Sequence, residues 1–234
     1  MQAKGYIFDF GGTIDTDGCH WGKALWHAYE RVEVPVSEQE FRDAYVFAER
    51  QLSKSNIILP DYTFKMTLDT KISIELDYLR EHSQWHPDDS DIGRYSSMLL
   101  DSLYADVENT IGDNKSVLSA LSDSCPLVLV TNFYGNTPSV LKEFGLEGYF
   151  VGVVDSTLVG VRKPDPRIFE IGVQRLGISP REIVSVGDSF YKDVVPSKKV
   201  GMSAVWLQGE GWTDKEYDES VPDRIIYSLK ELIG

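Results

Sequence analysis

Five short apolar runs punctuate the chain without alternating polar positions: residues 5–8 (GYIF), 127–130 (LVLV), 150–154 (FVGVV), 183–186 (IVSV) and 204–207 (AVWL). Such runs predict strands covered on both faces, as in a parallel sheet. Helical stretches are predicted between the later runs: 137–144 after the turn residues Gly135-Asn136, 166–176 opened by Pro166, and 193–200 closed by Gly201. Strand alternating with helix predicts an α/β fold built on a doubly wound parallel sheet. Ligands bind such sheets beyond the carboxyl ends of the strands.

The alternation is interrupted once. No second strand follows the first until Leu127, and residues 16–95 read as helical. Trp21, Leu25, Trp26, Tyr29 and Val32 recur at three- to four-residue spacing; Phe41, Tyr45, Phe47 and Leu52 do so less strictly, and Ile72, Leu76 and Leu79 again. The reading is a Rossmann-like core of residues 1–15 and 96–234 with a helical subdomain, 16–95, inserted between. Its borders fall at 14–17 and at the polar run 87–93, both suited to a hinge. A further helix over about 96–107 leads back to the sheet. There is no internal repeat.

Composition narrows the partners. Among 234 residues, Lys and Arg number 23 and Asp and Glu 37, a formal charge of −14. Such a surface repels nucleic acid and anionic lipid. No apolar stretch approaches the ~18–20 residues that span a bilayer. Cys19 and Cys125 lie far apart without CxxC spacing, and the amino terminus lacks the pattern of a signal peptide. The expectation is a cytoplasmic protein with free thiols, binding neither nucleic acid nor membrane; no motif specifies an oligomeric state.

Four strings carry candidate chemistry. The first strand ends in Asp9-Phe10-Gly11-Gly12-Thr13, a carboxylate at a strand tip beside two glycines. The second ends in Thr131-Asn132. Lys163 lies just before the helix opened by Pro166. The fourth string, Gly187-Asp188-Ser189-Phe190-Tyr191-Lys192-Asp193, sets two carboxylates across a strand-to-helix turn and suits a hard cation such as Mg²⁺. Each string falls at or beyond the carboxyl end of a predicted strand. In this order they resemble the haloacid dehalogenase superfamily, whose motifs are an Asp-x-Asp pair, a Ser or Thr, a Lys, and an acid cluster of the Gly-Asp-x-x-x-x-Asp type. The resemblance covers nearly the whole chain, and the insertion is similar to that family's C1-type cap.

The resemblance implies a Mg²⁺-dependent phosphohydrolase acting on a small phosphorylated molecule. Asp9 is the implied nucleophile, forming an aspartyl phosphate that water hydrolyses. Mg²⁺ is implied on Asp9, Asp188 and the backbone carbonyl of Gly11, with Asp193 as a further ligand or support. Thr131 and the amides of Asn132, Gly11 and Gly12 are implied to hold phosphoryl oxygens, and Lys163 to offset their charge.

One position departs from the pattern: the second Asp, the family's general acid and base, is here Gly11. A positioned acid/base is worth about 10²–10⁴-fold in rate, or about 3–5 kcal/mol of barrier. Three consequences follow. The leading one is a phosphatase for leaving groups that need little protonation, such as acyl, aryl or anomeric phosphates. Asp15, Asp17 or His20 can substitute for the acid, with Asp17 the first choice. The second is carbon-bond chemistry: a dehalogenase, which needs no metal, or a phosphonate-cleaving enzyme using an imine on Lys23, Lys54, Lys65 or Lys71. The third is a non-catalytic homologue that binds a phosphorylated ligand or partner. His20, His27, His82 and His86 all fall in the insertion, whose aromatic stripe of Trp21, Trp26, Tyr29, Phe41 and Tyr45 reads as helix packing or as pocket lining. Trp212 reads as a loop anchor, and the acidic residues 214–219 as solvated surface.

Overall fold

A computed structural model describes residues 3–54, 57–213 and 215–233. Strand β1 (Gly5–Phe8) is followed by helices α1 (Trp21–Arg31), α2 (Glu38–Lys54), α3 (Phe64–His82) and α4 (Asp89–Ser122). Then come β2 (Leu127–Thr131), α5 (Thr137–Glu143), β3 (Phe150–Asp155), α6 (Ser156–Val159), α7 (Arg167–Leu176), β4 (Ile183–Gly187), α8 (Val195–Val200), β5 (Ser203–Leu207) and β6 (Arg224–Ile226). The strands form one parallel sheet in the order β3-β2-β1-β4-β5-β6. All five predicted strands are present. β6 was not predicted, because three residues beginning with Arg224 carry no apolar run of their own.

The polar run 87–93 does not form a linker. Asp88 caps α4, its carboxylate accepting from the Asp91 amide at 2.8 Å, and the helix runs 34 residues without a break. The helix expected over about 96–107 is therefore the middle of a longer one. Leu99, Leu103, Val107, Ile111, Val117 and Leu118 recur at helical spacing along its buried stripe. The insertion and the sheet consequently share one apolar core, in which Tyr29, Phe41 and Leu76 belong to the same cluster as Phe8, Leu118 and Leu129.

The sheet order matters for chemistry. From β1 the chain continues to β2 on one side and later returns to β4 on the other, so β1 and β4 flank the topological switch point. There the loops beyond the strands diverge and leave a crevice. Phe8 pairs with Val186 across this boundary, so the residues that follow β1 and β4 emerge side by side.

Candidate active site

Asp9 continues β1 by one residue, its amide donating to the Val186 carbonyl at 3.0 Å. Asp188 follows β4 directly, and Asp193 lies on the π-turn Phe190–Val194, its Oδ2 accepting from the Ser189 amide at 3.1 Å. One oxygen from each of Asp9, Asp188 and Asp193 fits in a group whose members all lie within 4.8 Å of one another. Lys163 reaches in from the loop before α7. Its Nζ donates to Asp9 Oδ1 and to Asp193 Oδ1, each at 2.6 Å. Asn132 aims it: the Asn132 side chain donates to the Lys163 carbonyl at 3.0 Å and accepts from the Lys163 amide at 2.8 Å.

Three carboxylates, of which Asp9 and Asp193 are buried and Asp188 half-buried, thus gather around one buried ammonium. Burial pushes the Asp9 carboxyl up to about 6 against the pull of Lys163. Burial and the negative charges of Asp193 and Asp9 hold Asp188 well above the usual carboxylate range. Burial lowers the Lys163 ammonium, but Asp193 and Asp9 more than reverse this and leave it raised. The surplus of hard oxygen donors over positive charge fits a divalent cation such as Mg²⁺.

Thr13 was not singled out from the sequence, yet it ties the cluster together. Its hydroxyl faces Asp188 Oδ1 at 3.1 Å and Asp9 Oδ2 at 3.5 Å, and accepts from the Asp188 amide at 3.0 Å. The available signal was its place right after Gly-Gly. Gly12 has φ +95°, and a Cβ there would stand 2.5 Å from an Asp188 carboxylate oxygen. Its amide, expected to hold a phosphoryl oxygen, instead donates to Asp15 Oδ1 at 2.7 Å. Gly11 lines the cavity above Asp9, and a Cβ there would meet Trp21 at an ordinary 3.7 Å. Sterics do not require glycine at position 11.

The candidate substitute acids separate. Asp17 has φ 47° and turns away from the site, its Oδ1 accepting from the Leu229 amide at 3.1 Å. It does not line the cavity. Asp15 is fully buried behind Trp21, whose indole N–H donates to it at 2.9 Å, and burial pushes its carboxyl up to about 7. His20 does line the cavity.

The cavity measures about 160 Å³. Asp9, Thr131, Asn132, Lys163, Asp188 and Asp193 form its sheet side. On the insertion side, Trp21, Tyr45 and Phe64 offer aromatic faces, and Lys71 lies against Glu49 with its ammonium 4.4 Å over the Tyr45 ring. Tyr134, from the loop after β2, donates to Glu49 at 3.3 Å and joins the two sides. Of the lysines considered for an imine, Lys71 lines the cavity while Lys23 and Lys65 form surface pairs; the Lys54 side chain lies outside the described residues. Trp26 and Tyr29 each pack against Phe41, Tyr29 and Phe41 within the apolar core and Trp26 at its edge. Asp214 also lies outside the described residues.

Fold and site together define a class: a doubly wound α/β protein with a buried acid cluster and one lysine at the switch point of its sheet, facing a helical insertion. Over residues 3–201 the sequence matches the haloacid dehalogenase-like hydrolase family, and the chain belongs to that family. It is 37% identical over 108 residues to haloacid dehalogenase-like hydrolase domain-containing protein 3 of Mus musculus, covering 46% of this chain and 43% of that protein. It is 38% identical over 95 residues to glyceraldehyde 3-phosphate phosphatase of Methanopyrus kandleri, covering 40% of this chain and 41% of that one. The matched region thus spans less than half the length of these curated relatives. Among solved structures, the HAD phosphatase from Thermococcus onnurineus superposes with a TM-score of 0.54 at 27% identity, over 99% of this chain and 96% of that one. No helix among the described residues is long and apolar enough to cross a membrane.

Proposed function

We propose that this chain is a Mg²⁺-dependent phosphatase for a small phosphorylated molecule, working through a phosphoryl group carried on Asp9. The observation that supports it is the juxtaposition of Asp9, Asp188, Asp193 and Lys163 at one buried point. Relatives named as phosphatases point the same way. Burial places the Asp9 carboxyl near 6, so at neutral pH it is ionised and able to attack phosphorus. Lys163 fixes one Asp9 oxygen and supplies positive charge where phosphoryl oxygens crowd in. Thr131, buried at the tip of β2 and lining the cavity, offers a hydroxyl to those oxygens.

Asp9, Asp188, Asp193 and the Gly11 carbonyl are the groups that would hold Mg²⁺, which when bound neutralises charge developing on the phosphoryl group. Water hydrolyses the aspartyl phosphate and returns Asp9. With glycine at position 11, the favoured substrates carry leaving groups stable with little protonation. Substrate choice rests with the insertion, residues 16–95, since the sheet side handles only the phosphoryl group.

The test is phosphate release from a panel of acyl, aryl and alkyl phosphates, with Mg²⁺ or with EDTA, beside Asp9→Asn. Release that needs both Mg²⁺ and Asp9 is expected. Wild-type protein that releases no phosphate in Mg²⁺ would overturn the reading.

A further inference from the structure

An oxygen leaving phosphorus accumulates negative charge, and Gly11 has no side chain to meet it. Asp15 has both carboxylate oxygens engaged, by the Gly12 amide and the Trp21 indole, and is shut off from the cavity. Asp17 faces Leu229. Of these three candidate substitutes, His20 alone lines the cavity and keeps an uncommitted donor.

We propose that His20, through its Nε2–H, donates a hydrogen bond to the leaving oxygen of the substrate; this rests on the phosphatase reading and adds a residue to it. The geometry begins with a helix cap. His20 is the N-cap of α1, and its Nδ1 accepts from the Gly22 amide at 3.0 Å. A ring nitrogen that accepts carries no hydrogen, so the neutral imidazole has its hydrogen on Nε2. Among the described residues, none accepts from Nε2.

The ring is also held in place. It stacks on Trp212 with centroids 5.3 Å apart and planes at 28°, and meets Tyr45 edge-on at 6.3 Å. Trp212 is itself pinned: the Arg42 guanidinium lies 4.2 Å over its ring, and a Cβ at Gly22 would fall 2.1 Å from it. A donor fixed before the substrate arrives needs no reorganisation when charge develops. Burial, with Lys192 and Lys71 nearby, pushes the ring down to about 4, so at neutral pH it is uncharged. It therefore donates a hydrogen bond and transfers no proton.

The step balances with water alone. An Asp9 oxygen bonds to phosphorus as the bond from phosphorus to the leaving oxygen breaks. The electron pair stays on that oxygen while Nε2–H donates to it. The oxygen takes its proton from a water molecule, and the hydroxide equivalent so generated is consumed when the aspartyl phosphate is hydrolysed.

The test compares p-nitrophenyl phosphate, whose leaving group is stable as an anion, with glycerol 1-phosphate, whose leaving group is not. His20→Ser keeps an oxygen to cap α1 and removes the imidazole donor. Loss of kcat/KM on glycerol 1-phosphate about 10–100-fold greater than on p-nitrophenyl phosphate is expected, with partial recovery in His20→Asn, which restores an N–H. Equal effects on both substrates in a folded variant would overturn the proposal, as would wild-type protein that cleaves only the aryl ester. Wild-type protein inactive on both would also overturn it, and inactivity on the whole acyl, aryl and alkyl panel would instead remove the phosphatase reading beneath it. Should both variants fail to fold, ¹⁵N imidazole shifts of the wild-type protein at neutral pH decide: a hydrogen on Nδ1 or a charged ring overturns the assignment.

Discussion

The Lys163 ammonium stands 2.6 Å from Asp9 Oδ1, with both side chains buried. Residues 154 positions apart meet here because β1 lies at the sheet's centre and Asn132, at the end of the neighbouring β2, grips the Lys163 backbone. Removing the cation leaves buried carboxylates uncompensated. Lys163→Met is expected to abolish phosphate release and, in EDTA at pH 7, to cost about 3–5 kcal/mol in urea unfolding. That loss should shrink as pH falls and the acids protonate. An unchanged unfolding midpoint would show that the pair contributes nothing to stability.

Adjacent glycines are expected to differ in how much they tolerate a side chain. Gly12→Ala forces a side chain into a positive φ and against the Asp188 carboxylate. It should cost about 1–3 kcal/mol from backbone strain alone and weaken Mg²⁺-dependent activity. Gly11→Ala meets only ordinary contacts and should stay within about 0.5 kcal/mol of wild type. Thermal unfolding of the two variants side by side checks the contrast; similar losses would contradict it.

Asp17 is expected to be a structural residue. Its carboxylate serves the Leu229 amide at the carboxyl-terminal 3₁₀ turn. Asp17→Asn keeps an acceptor oxygen and should leave turnover unchanged. Asp17→Ala should lose about 1 kcal/mol of stability without a selective loss of kcat. A large drop in kcat for Asp17→Asn would return this residue to the acid/base role.

Glu75 is fully buried, accepts from the Tyr29 hydroxyl at 3.2 Å, and has an Oε1 without a partner among the described residues. Burial pushes its carboxyl up to about 7 from 4.5. Below about pH 4.5 both folded and unfolded chains hold the proton; between there and about 7 only the folded chain holds it, so this group's contribution to stability falls as pH rises. At full ionisation the cost is about 3 kcal/mol, at about 1.4 kcal/mol per pH unit. Glu75→Gln should flatten that part of the profile and be more stable than wild type at pH 8. Denaturant titrations from pH 4 to 8 would refute this if the two proteins keep the same slope.

Legibility differed by element. Buried strands were readable because burial on both faces removes alternation, and each predicted run coincides with a strand to within a residue. β6 was not, because its pairing with β5 rather than its own composition makes it a strand. The length of α4 was also hidden: Asp88 to Gly93 looks like a polar linker, yet the same residues cap a helix and form its solvated first turn. Among the site residues, the strand-tip carboxylates stood out by position. Thr13 did not, since a threonine after Gly-Gly is locally indistinguishable from turn chemistry.

Chain order alone placed Asp9, Thr131, Lys163 and Asp188 at the carboxyl ends of strands or just beyond, because apolar runs and the turns after them are local properties. Which residues then touch depends on which strands become neighbours and how each loop turns. The choice among Asp15, Asp17 and His20 shows the difference. All three are polar and lie within six positions of one another, but a positive φ turns Asp17 toward Leu229, Trp21 closes over Asp15, and a cap bond to Gly22 holds His20 at the cavity. Those orientations come from contacts with distant segments, and no local pattern encodes them.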